Sequence, residues 1–282
     1  MQGHSDDITC LDIDPQREQF LTGSLDNYIR CWDVLSHSPV WSTPIEEHIE
    51  SICYHPDGQS FLVGCDLGRW YALDLTTREI LMRKRDGCDP ISCLSHSPNV
   101  QLLAIGSTNS NIYLYSCVGR HYEKIGMCSG HTAPITNLDW ASNSRFFRSN
   151  SEVLELIHWD AKMRKMLTNP EDFRNVKWPT NSCILSYNTA VLFQGAWLSE
   201  EAESQYTCLI SSCDSKNHLL ATYDSQCRVT LRPFPCFYGE IEQSTSRRLA
   251  HCSRTGRLKF TSNSTRLISI GRKDLSLIQW TV

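Results

Sequence analysis

The 282-residue sequence lacks any long apolar run. No stretch approaches the roughly 20 apolar residues that a membrane-spanning helix needs, so we expect no membrane partner. Residues 1–7 contain neither a basic segment nor an apolar one, and no secretory signal is expected. Charged residues make up 21% of the chain and hydrophobic residues 40%, a composition typical of a globular protein, which we predict to be cytoplasmic.

The cysteine spacing that is typical of zinc sites and of redox motifs is also missing. The chain has 14 cysteines, but no Cys-x-x-Cys pair occurs among them. Most lie in apolar, strand-like runs, as Cys10, Cys31 and Cys53 do. We interpret them as reduced, buried thiols of a cytosolic protein, and we predict no metal and no cofactor.

The motifs of common enzyme classes are absent. There is no P-loop, no Gly-x-Ser-x-Gly elbow, no His-Glu-x-x-His and no Gly-x-Gly-x-x-Gly. We therefore predict that the chain is not an enzyme and has no small-molecule substrate. The run Arg83-Lys-Arg85 could meet phosphates, but no RNA-binding motif accompanies it and the net charge is −4, so nucleic acid is not expected as a partner.

The stretch Phe20–Asp33 contains the element that repeats along the chain. Phe20–Ser24 and Tyr28–Trp32 carry the aromatic and β-branched residues that favour strands, and a polar turn joins them. Gly3-His4 precedes this pair of strands, and Trp-Asp ends it. A Gly-His and Trp-Asp frame is typical of a WD repeat, one four-stranded blade of a β-propeller.

The same frame recurs at a regular period. Positions 32, 73, 115 and 159 end successive units and lie 41, 42 and 44 residues apart, as expected for blades. We predict an all-β WD-repeat β-propeller of about seven blades that forms one domain over residues 1–282. The blade ends are predicted near 32, 73, 115, 159, 197, 232 and 280, and the inner strands include Ile8–Ile13, Ile49–Tyr54 and Ile135–Trp140.

Closure of the ring is the least regular part of this prediction. Only Met1 and Gln2 precede Gly3-His4, and the chain finishes at Trp280-Thr-Val282. We expect the last blade to lack its outer strand, which an upstream segment of a longer protein or a partner would supply.

A buried polar network is expected inside the blades. A histidine of the Gly-His pair commonly bonds to a Ser or Thr, then to the turn Asp, then to the Trp indole, which points to Thr22 or Ser24 in the first blade. We predict that the tryptophans fill core space and contact no ligand. The predicted network residues are His4, Ser24, Asp26, Trp32, His131, Trp159, Asp274 and Trp280.

Charge is unevenly distributed. Residues 1–66 contain twelve acids and two bases, a net −10, whereas residues 245–282 contain eight bases and one acid, a net +7. One interpretation is that the first and last blades are neighbours in the ring and attract each other. The other is a basic patch for an acidic partner, formed by Arg247, Arg248, Arg254 and Arg257.

Three stretches stand out, and the first two of them are unlike ordinary WD repeats. They are Ser149-Asn-Ser-Glu-Val-Leu-Glu-Leu-Ile-His-Trp-Asp160, Arg174-Asn-Val-Lys-Trp178 and Leu267-Ile-Ser-Ile-Gly-Arg-Lys-Asp274. With Gln279-Trp280-Thr-Val282 they resemble the echinoderm microtubule-associated protein-like (EMAP-like) family, over essentially the whole chain. The sequence departs from the family at Tyr223 and at Gly271-Arg272, where glycines are usual.

The resemblance implies the second propeller of a tandem pair and association with microtubules or tubulin in the cytoskeleton. Two functions therefore remain open. The chain is either a cytoskeletal module whose loops contact tubulin, or a general WD-repeat adaptor in another complex such as a ubiquitin ligase. Loop side chains rather than the fold decide between them.

Overall fold

A computed structural model describes the strand-forming parts of the chain. The described residues are 3–169, 173, 176–183, 208–214, 216–224, 227–234, 246–252 and 256–282. Their regular elements are short antiparallel strands, which form six sheets. Within these residues, no helix is long and apolar enough to cross a membrane.

The first three sheets each contain four strands in sequence order. The first contains β1 (Ile8–Ile13), β2 (Gln19–Ser24), β3 (Tyr28–Asp33) and β4 (Ser38–Pro44). The second contains β5 (Ile49–Tyr54), β6 (Ser60–Cys65), β7 (Arg69–Asp74) and β8 (Ile80–Arg85). The third contains β9 (Ile91–His96), β10 (Leu102–Ser107), β11 (Asn111–Val118) and β12 (His121–Ser129).

The other three sheets continue this meander. The fourth contains β13 (Ile135–Trp140), β14 (Phe146–Ser151), β15 (Leu156–Asp160) and β16 (Lys165–Leu167). The fifth contains β17 (Cys208–Asp214), β18 (Leu219–Asp224), β19 (Arg228–Pro233) and β20 (Ser246–Leu249). The sixth has three strands among the described residues, β21 (Gly256–Phe260), β22 (Arg266–Gly271) and β23 (Leu277–Thr281).

The six first strands surround a central channel. They lie side by side in the order β13, β9, β5, β1, β21 and β17. Side chains from all six line one cavity of about 410 Å³. The chain is therefore a β-propeller, with the strand that begins each sheet facing its axis.

The predicted blade ends coincide with one type of strand. Positions 32, 73, 115, 159, 232 and 280 each lie on the third strand of a sheet. The structure describes six sheets where the sequence predicts about seven blades. The predicted end of the fifth blade, Trp197, lies outside the described residues, which include only 161–169, 173 and 176–183 of the segment that precedes it.

Burial differs between the strands of a sheet. All residues of β6 are buried, and all but the first residue of β2 are, because both faces of a blade pack against neighbouring blades. Outer strands such as β4 and β8 contain only exposed and partly buried residues.

Hydroxyl groups link neighbouring blades near the channel. Thr9 Oγ1 donates a hydrogen bond of 2.6 Å to the Ile49 carbonyl of the second sheet. Ser51 Oγ makes the same bond, also 2.6 Å, to the Ile91 carbonyl of the third. Both hydroxyls are buried, so these bonds fix the relative positions of adjacent first strands.

Candidate functional site

His4 lies at the centre of a hydrogen-bond network in the first sheet. Its Nε2 lies 2.8 Å from Thr22 Oγ1, and its Nδ1 lies 2.9 Å from Asp26 Oδ2. Thr22 Oγ1 also accepts a hydrogen bond of 2.8 Å from Trp32 Nε1. The structure thus brings His4, Asp26 and Trp32 together, and Thr22 supplies the connecting hydroxyl.

Ser24 has a different place from the one the sequence suggested. Its Oγ donates to the Asp6 carbonyl at 2.9 Å and accepts from the Asp26 amide at 3.0 Å. The strand register gives the reason. Trp32 lies opposite Phe20, so Thr22, two residues further along the same face, is within reach of the indole, whereas Ser24 lies another pleat away.

The fourth sheet repeats the network around His131. Its Nε2 lies 2.6 Å from Ser149 Oγ, which accepts a bond of 2.8 Å from Trp159 Nε1. Its Nδ1 lies 2.8 Å from Glu155 Oε2. Glu155, which the sequence analysis did not select, occupies the place that Asp26 has in the first sheet.

The sixth sheet holds a third network, centred on His251, which the sequence analysis missed. His251 Nε2 lies 2.8 Å from Ser269 Oγ, which accepts a bond of 2.9 Å from Trp280 Nε1. On the other side, Nδ1 lies 2.6 Å from Ser276 Oγ and 3.3 Å from Asp274 Oδ2. Ala250 precedes this histidine in place of the usual glycine, so the Gly-His pattern does not detect His251.

A spacing rule would have found His251. In all three networks the histidine precedes its hydroxyl partner by 18 residues. The hydroxyl then precedes the tryptophan by 10 or 11 residues. The hydroxyl residue is also always two positions after the one that faces the tryptophan across the sheet.

The hydrogen-bond partners of these histidines determine which ring nitrogen carries the proton. An ionised carboxylate can only accept, so Nδ1, which faces a carboxylate in each network, carries the imidazole proton, and Nε2 of the neutral ring accepts from the hydroxyl. Burial lowers the pKa of His4, His131 and His251, which favours this neutral form. Both ring nitrogens are thereby occupied, so these imidazoles offer no free lone pair to a metal or to a substrate proton.

Other metal-ligating groups are scattered. In the part of the chain that the structure describes, no cluster of three or more His, Cys, Asp or Glu could hold a metal ion. The cysteines with described side chains are free thiols, and Cys10, Cys31 and Cys65 are among the buried ones. Burial raises the pKa of the Cys10 thiol to about 12, which keeps it protonated and unreactive at neutral pH.

Asp139 anchors the segment that follows the fourth sheet. Its carboxylate is fully buried and accepts two hydrogen bonds from Arg148, at 3.0 and 3.1 Å. It also accepts from Thr180 Oγ1 at 2.7 Å, from the Ser182 amide and from the Cys183 amide, both at 2.9 Å. Residues 180–183 are therefore held against the fourth sheet by one carboxylate, whose pKa is lowered because these donors outweigh the effect of burial.

Aromatic stacking holds the preceding part of this segment. The Arg148 guanidinium lies 4.4 Å from the centre of the Trp178 ring, a cation–π contact. His158 of β15 stacks on Phe173 with 4.4 Å between the ring centres. Phe173 and Trp178 thus pack on side chains of the fourth sheet.

Opposite charges meet where the first and last sheets adjoin. Lys259 Nζ lies 2.8 Å from Asp12 Oδ1, and Arg272 Nε lies 3.1 Å from Asp7 Oδ2. The Ile8 amide also donates to the Arg272 carbonyl at 3.0 Å. Part of the charge asymmetry therefore serves contacts between these two neighbouring sheets.

The four arginines predicted as one basic patch do not form a single surface. Arg248 is exposed on β20, the outermost strand of the fifth sheet, while Arg257 is on β21 and lines the central channel. The chain crosses from the rim to the axis between them, because each sheet starts at the channel and ends at the outside. Arg247 is on β20 as well, but its side chain and the whole of Arg254 lie outside what the structure describes.

Comparison with known proteins identifies the family. Residues 8–282 match the profile described as "Echinoderm microtubule-associated protein second beta-propeller". The chain belongs to the echinoderm microtubule-associated protein family. The match covers all six described sheets, including the three that carry the histidine networks.

Curated members of the family are similar over the whole chain. The rat protein "Echinoderm microtubule-associated protein-like 1" is 34% identical over 283 residues, which are 100% of this chain and 34% of the relative. Rat "Echinoderm microtubule-associated protein-like 2" is 33% identical, over 100% of this chain and 42% of the relative. Human "Echinoderm microtubule-associated protein-like 4" is 32% identical, over 99% of this chain and 28% of the relative. The chain thus spans between about a quarter and two fifths of the length of these relatives.

The stretch that first suggested the EMAP-like family has a physical role in this propeller. Ser149 and Trp159 belong to the His131 network, and Ser151 Oγ donates to Glu155 Oε2 at 2.9 Å. Glu155 also accepts from Thr132 Oγ1 at 2.6 Å. That bond is the main cause that lowers the pKa of Glu155, to about 2. The polar residues Ser149, Ser151 and Glu155 of this stretch are thus hydrogen-bonded within the fourth sheet.

Proposed function

We propose that this chain is a non-enzymatic protein-binding propeller that associates with tubulin or microtubules and contributes to the organisation of the cytoskeleton. The observation that carries the proposal is the match of residues 8–282 to the second propeller of the EMAP family. The similar proteins bear microtubule-associated names and share 31–34% identity with essentially the whole chain. The partners proposed are proteins of the cytoplasm, rather than nucleic acid, membranes or small molecules.

Exposed basic side chains are the proposed contribution to this association. Tubulin is an acidic protein, and attraction between exposed charges is screened over about 8 Å at physiological ionic strength. Arg248 and Arg257 are separate candidates, since one is at the rim and the other at the channel. Binding is therefore expected to weaken as salt is added.

The test is co-sedimentation of the chain with polymerised microtubules beside a binding measurement with free tubulin. Each is run at low and at physiological salt, with Arg248→Glu and Arg257→Glu as separate variants. Binding to either form of tubulin supports the proposal, and weaker binding of one variant locates the contact. Absence of binding to both forms overturns it and leaves the general WD-repeat adaptor as the better description.

Two further arms test the proposed choice of partners. The same chain is mixed with vesicles containing anionic lipid and with a single-stranded DNA oligonucleotide. Binding to either one that exceeds binding to tubulin would contradict the proposal of a protein partner.

A further inference from the structure

A groove of about 970 Å³ lies between the third and fourth sheets. The loops that join β9 to β10 and β11 to β12 form one side, and the corresponding loops of the fourth sheet form the other. Alternate connections of a meander emerge on the same face, so these four loops lie together. The histidine networks involve the other set of connections and lie toward the opposite face.

Charge in this groove is of one sign. Arg145, Lys162 and Arg164 line it, and no Asp or Glu is among its lining residues. Arg145 is engaged by Asp160 at 3.1 Å, and Arg164 donates to the Ile125 carbonyl across the groove. Lys162 is exposed, and its side chain makes no ion pair with any residue that the structure describes. The groove is therefore electropositive, as expected of a surface that attracts an acidic partner.

Aliphatic side chains supply an apolar part. Val118, the last residue of β11, is 75% exposed, and Ile125 and Leu102, which also line the groove, are partly buried. Val100 also lines the groove and has a φ of +58°. The left-handed region is costly for a β-branched residue, and the matching loop of the second sheet has Gly58 with a φ of +65°. The corresponding turns of the fourth and sixth sheets also have a positive φ, at Ser144 and Ser264, so the turn requires this conformation and Val100 is unusual in being β-branched.

Hydrogen bonds fix the groove in place. The Asn99 amide donates to Ser144 Oγ at 3.0 Å, which links the two sheets at the groove floor. Asn99 Oδ1 accepts from Ser97 Oγ at 2.7 Å and from the Gln101 amide at 3.1 Å. A site held in this way loses little conformational entropy when a ligand binds.

We propose that this groove binds an acidic peptide segment of a partner protein, with an aliphatic side chain against Val100 and Val118 and carboxylates near Lys162 and Arg164. A peptide fits better than a nucleic acid, because no Phe, Tyr or Trp lines the groove. Binding of single strands generally relies on aromatic stacking. The inference goes beyond the proposed function because it names a surface and a ligand chemistry that do not require tubulin.

The test uses a fluorescein-labelled synthetic peptide, Glu-Glu-Leu-Glu-Glu, and fluorescence anisotropy with the full chain. Binding is expected at low salt and is expected to weaken as salt is added. Replacing Leu by Ser in the probe should weaken binding, and replacing Glu by Lys should abolish it. In the protein, Lys162→Glu should reduce affinity about threefold to tenfold.

Two variants separate binding from folding. Val100→Gly removes the aliphatic contact and relieves the backbone strain, so it should weaken peptide binding without lowering the melting temperature. Lys165→Glu is the matched charge control, since Lys165 is exposed on β16 close in sequence but does not line the groove. It should bind the peptide like the parent.

Three outcomes would overturn the groove proposal. They are no peptide binding by the parent, unchanged binding by both Lys162→Glu and Val100→Gly, or binding of a single-stranded DNA oligonucleotide in preference to the peptide. A chain that binds tubulin but not the peptide would retain the proposed function and lose the groove. Binding of the peptide without binding of tubulin would support the groove and contradict the proposed function.

Discussion

The α-carbon of Gly23 packs so closely on Ile49 of the next blade that there is no room for a side chain. A Cβ at position 23 would lie 2.5 Å from Ile49 Cγ2 and 2.6 Å from Cys10 Sγ. The contact repeats around the ring, since a Cβ at Gly64 would lie 2.5 Å from Ile91 Cγ2. In the first three blades the glycine at this position, Gly23, Gly64 or Gly106, is therefore required by the approach of the neighbouring first strand.

This relationship predicts that Gly23→Ala destabilises the propeller. Both obstructing atoms belong to buried residues, so the blades must move apart, and overpacking of this kind costs about 1–3 kcal/mol. Urea denaturation measures the change in the free energy of unfolding. Gly3→Ala is the matched control, because a Cβ at Gly3 meets no atom within 4 Å. Equal stability of the two variants would show that the blades tolerate the extra methyl group.

The sequence predicts the repeating strands well for the same reason. The predicted inner strands Ile8–Ile13, Ile49–Tyr54 and Ile135–Trp140 coincide with β1, β5 and β13. Ile49 and Ile135, which begin two of these strands, pack on Gly23 and Gly106 in the second strand of the preceding blade. A contact that recurs from blade to blade constrains residues at a regular period, and this period makes the strands predictable from the sequence.

Features without such a repeat were harder to predict. Ser24 and Thr22 are both hydroxyl residues on one face of β2, and only the pairing of Phe20 with Trp32 selects Thr22. Arg248 and Arg257 are close in sequence, but they lie on the last strand of one sheet and the first strand of the next, which the sequence pattern does not show. Groove residues such as Lys162 come from four loops, and their proximity is a property of the folded ring alone.

Burial of Trp159 predicts a large effect of its removal. The side chain is 1% exposed, stacks on Phe147 with 6.1 Å between ring centres and donates to Ser149. Trp159→Ala should cost about 3–5 kcal/mol through the cavity and the lost hydrogen bond. Trp280→Ala, at a partly exposed tryptophan that makes the equivalent bond, should cost less. Denaturation of both variants checks the order, and a smaller loss for Trp159→Ala would contradict the core role.

The histidine networks predict a loss of stability in mild acid. Burial lowers the pKa of His131 below its usual value near 6.5, so the folded chain takes up its proton at a lower pH than the unfolded chain does. The stabilisation is complete above pH 6.5 and is lost as the pH falls toward the folded-state pKa, by at most about 1.4 kcal/mol per pH unit for one histidine.

Denaturation of the parent and of His131→Gln between pH 7.5 and 5 tests this pH dependence. The variant should be less stable at pH 7.5 and should show a shallower fall toward pH 5, because one of the buried histidines no longer titrates. His121→Gln, at an exposed histidine, is the control and should keep the slope of the parent. An unchanged slope in His131→Gln would mean that this imidazole keeps an ordinary pKa when folded.

Two arginines of the fourth sheet make the same kind of ion pair at very different depths. The Arg148 side chain is 3% exposed and binds the fully buried Asp139, whereas the Arg145 side chain is 63% exposed above Asp160. Arg148→Ala leaves a buried carboxylate without its cation, which typically costs about 3–5 kcal/mol. Asp160 is also buried, but Arg145 itself is largely solvated and the Met163 amide still donates to Asp160 at 2.8 Å, so Arg145→Ala should cost clearly less than Arg148→Ala.

The same pair of substitutions tests the anchoring of residues 180–183. Removal of Arg148 also removes the support of Trp178 and a hydrogen bond of 2.7 Å to Asn181 Oδ1, so the segment should loosen. Limited proteolysis and amide hydrogen exchange should show increased cleavage and exchange there in Arg148→Ala and not in Arg145→Ala. If both variants leave the segment as protected as in the parent, the amide and hydroxyl donors to Asp139 hold it without the arginine, and the ion pair contributes only to the stability of the sheet.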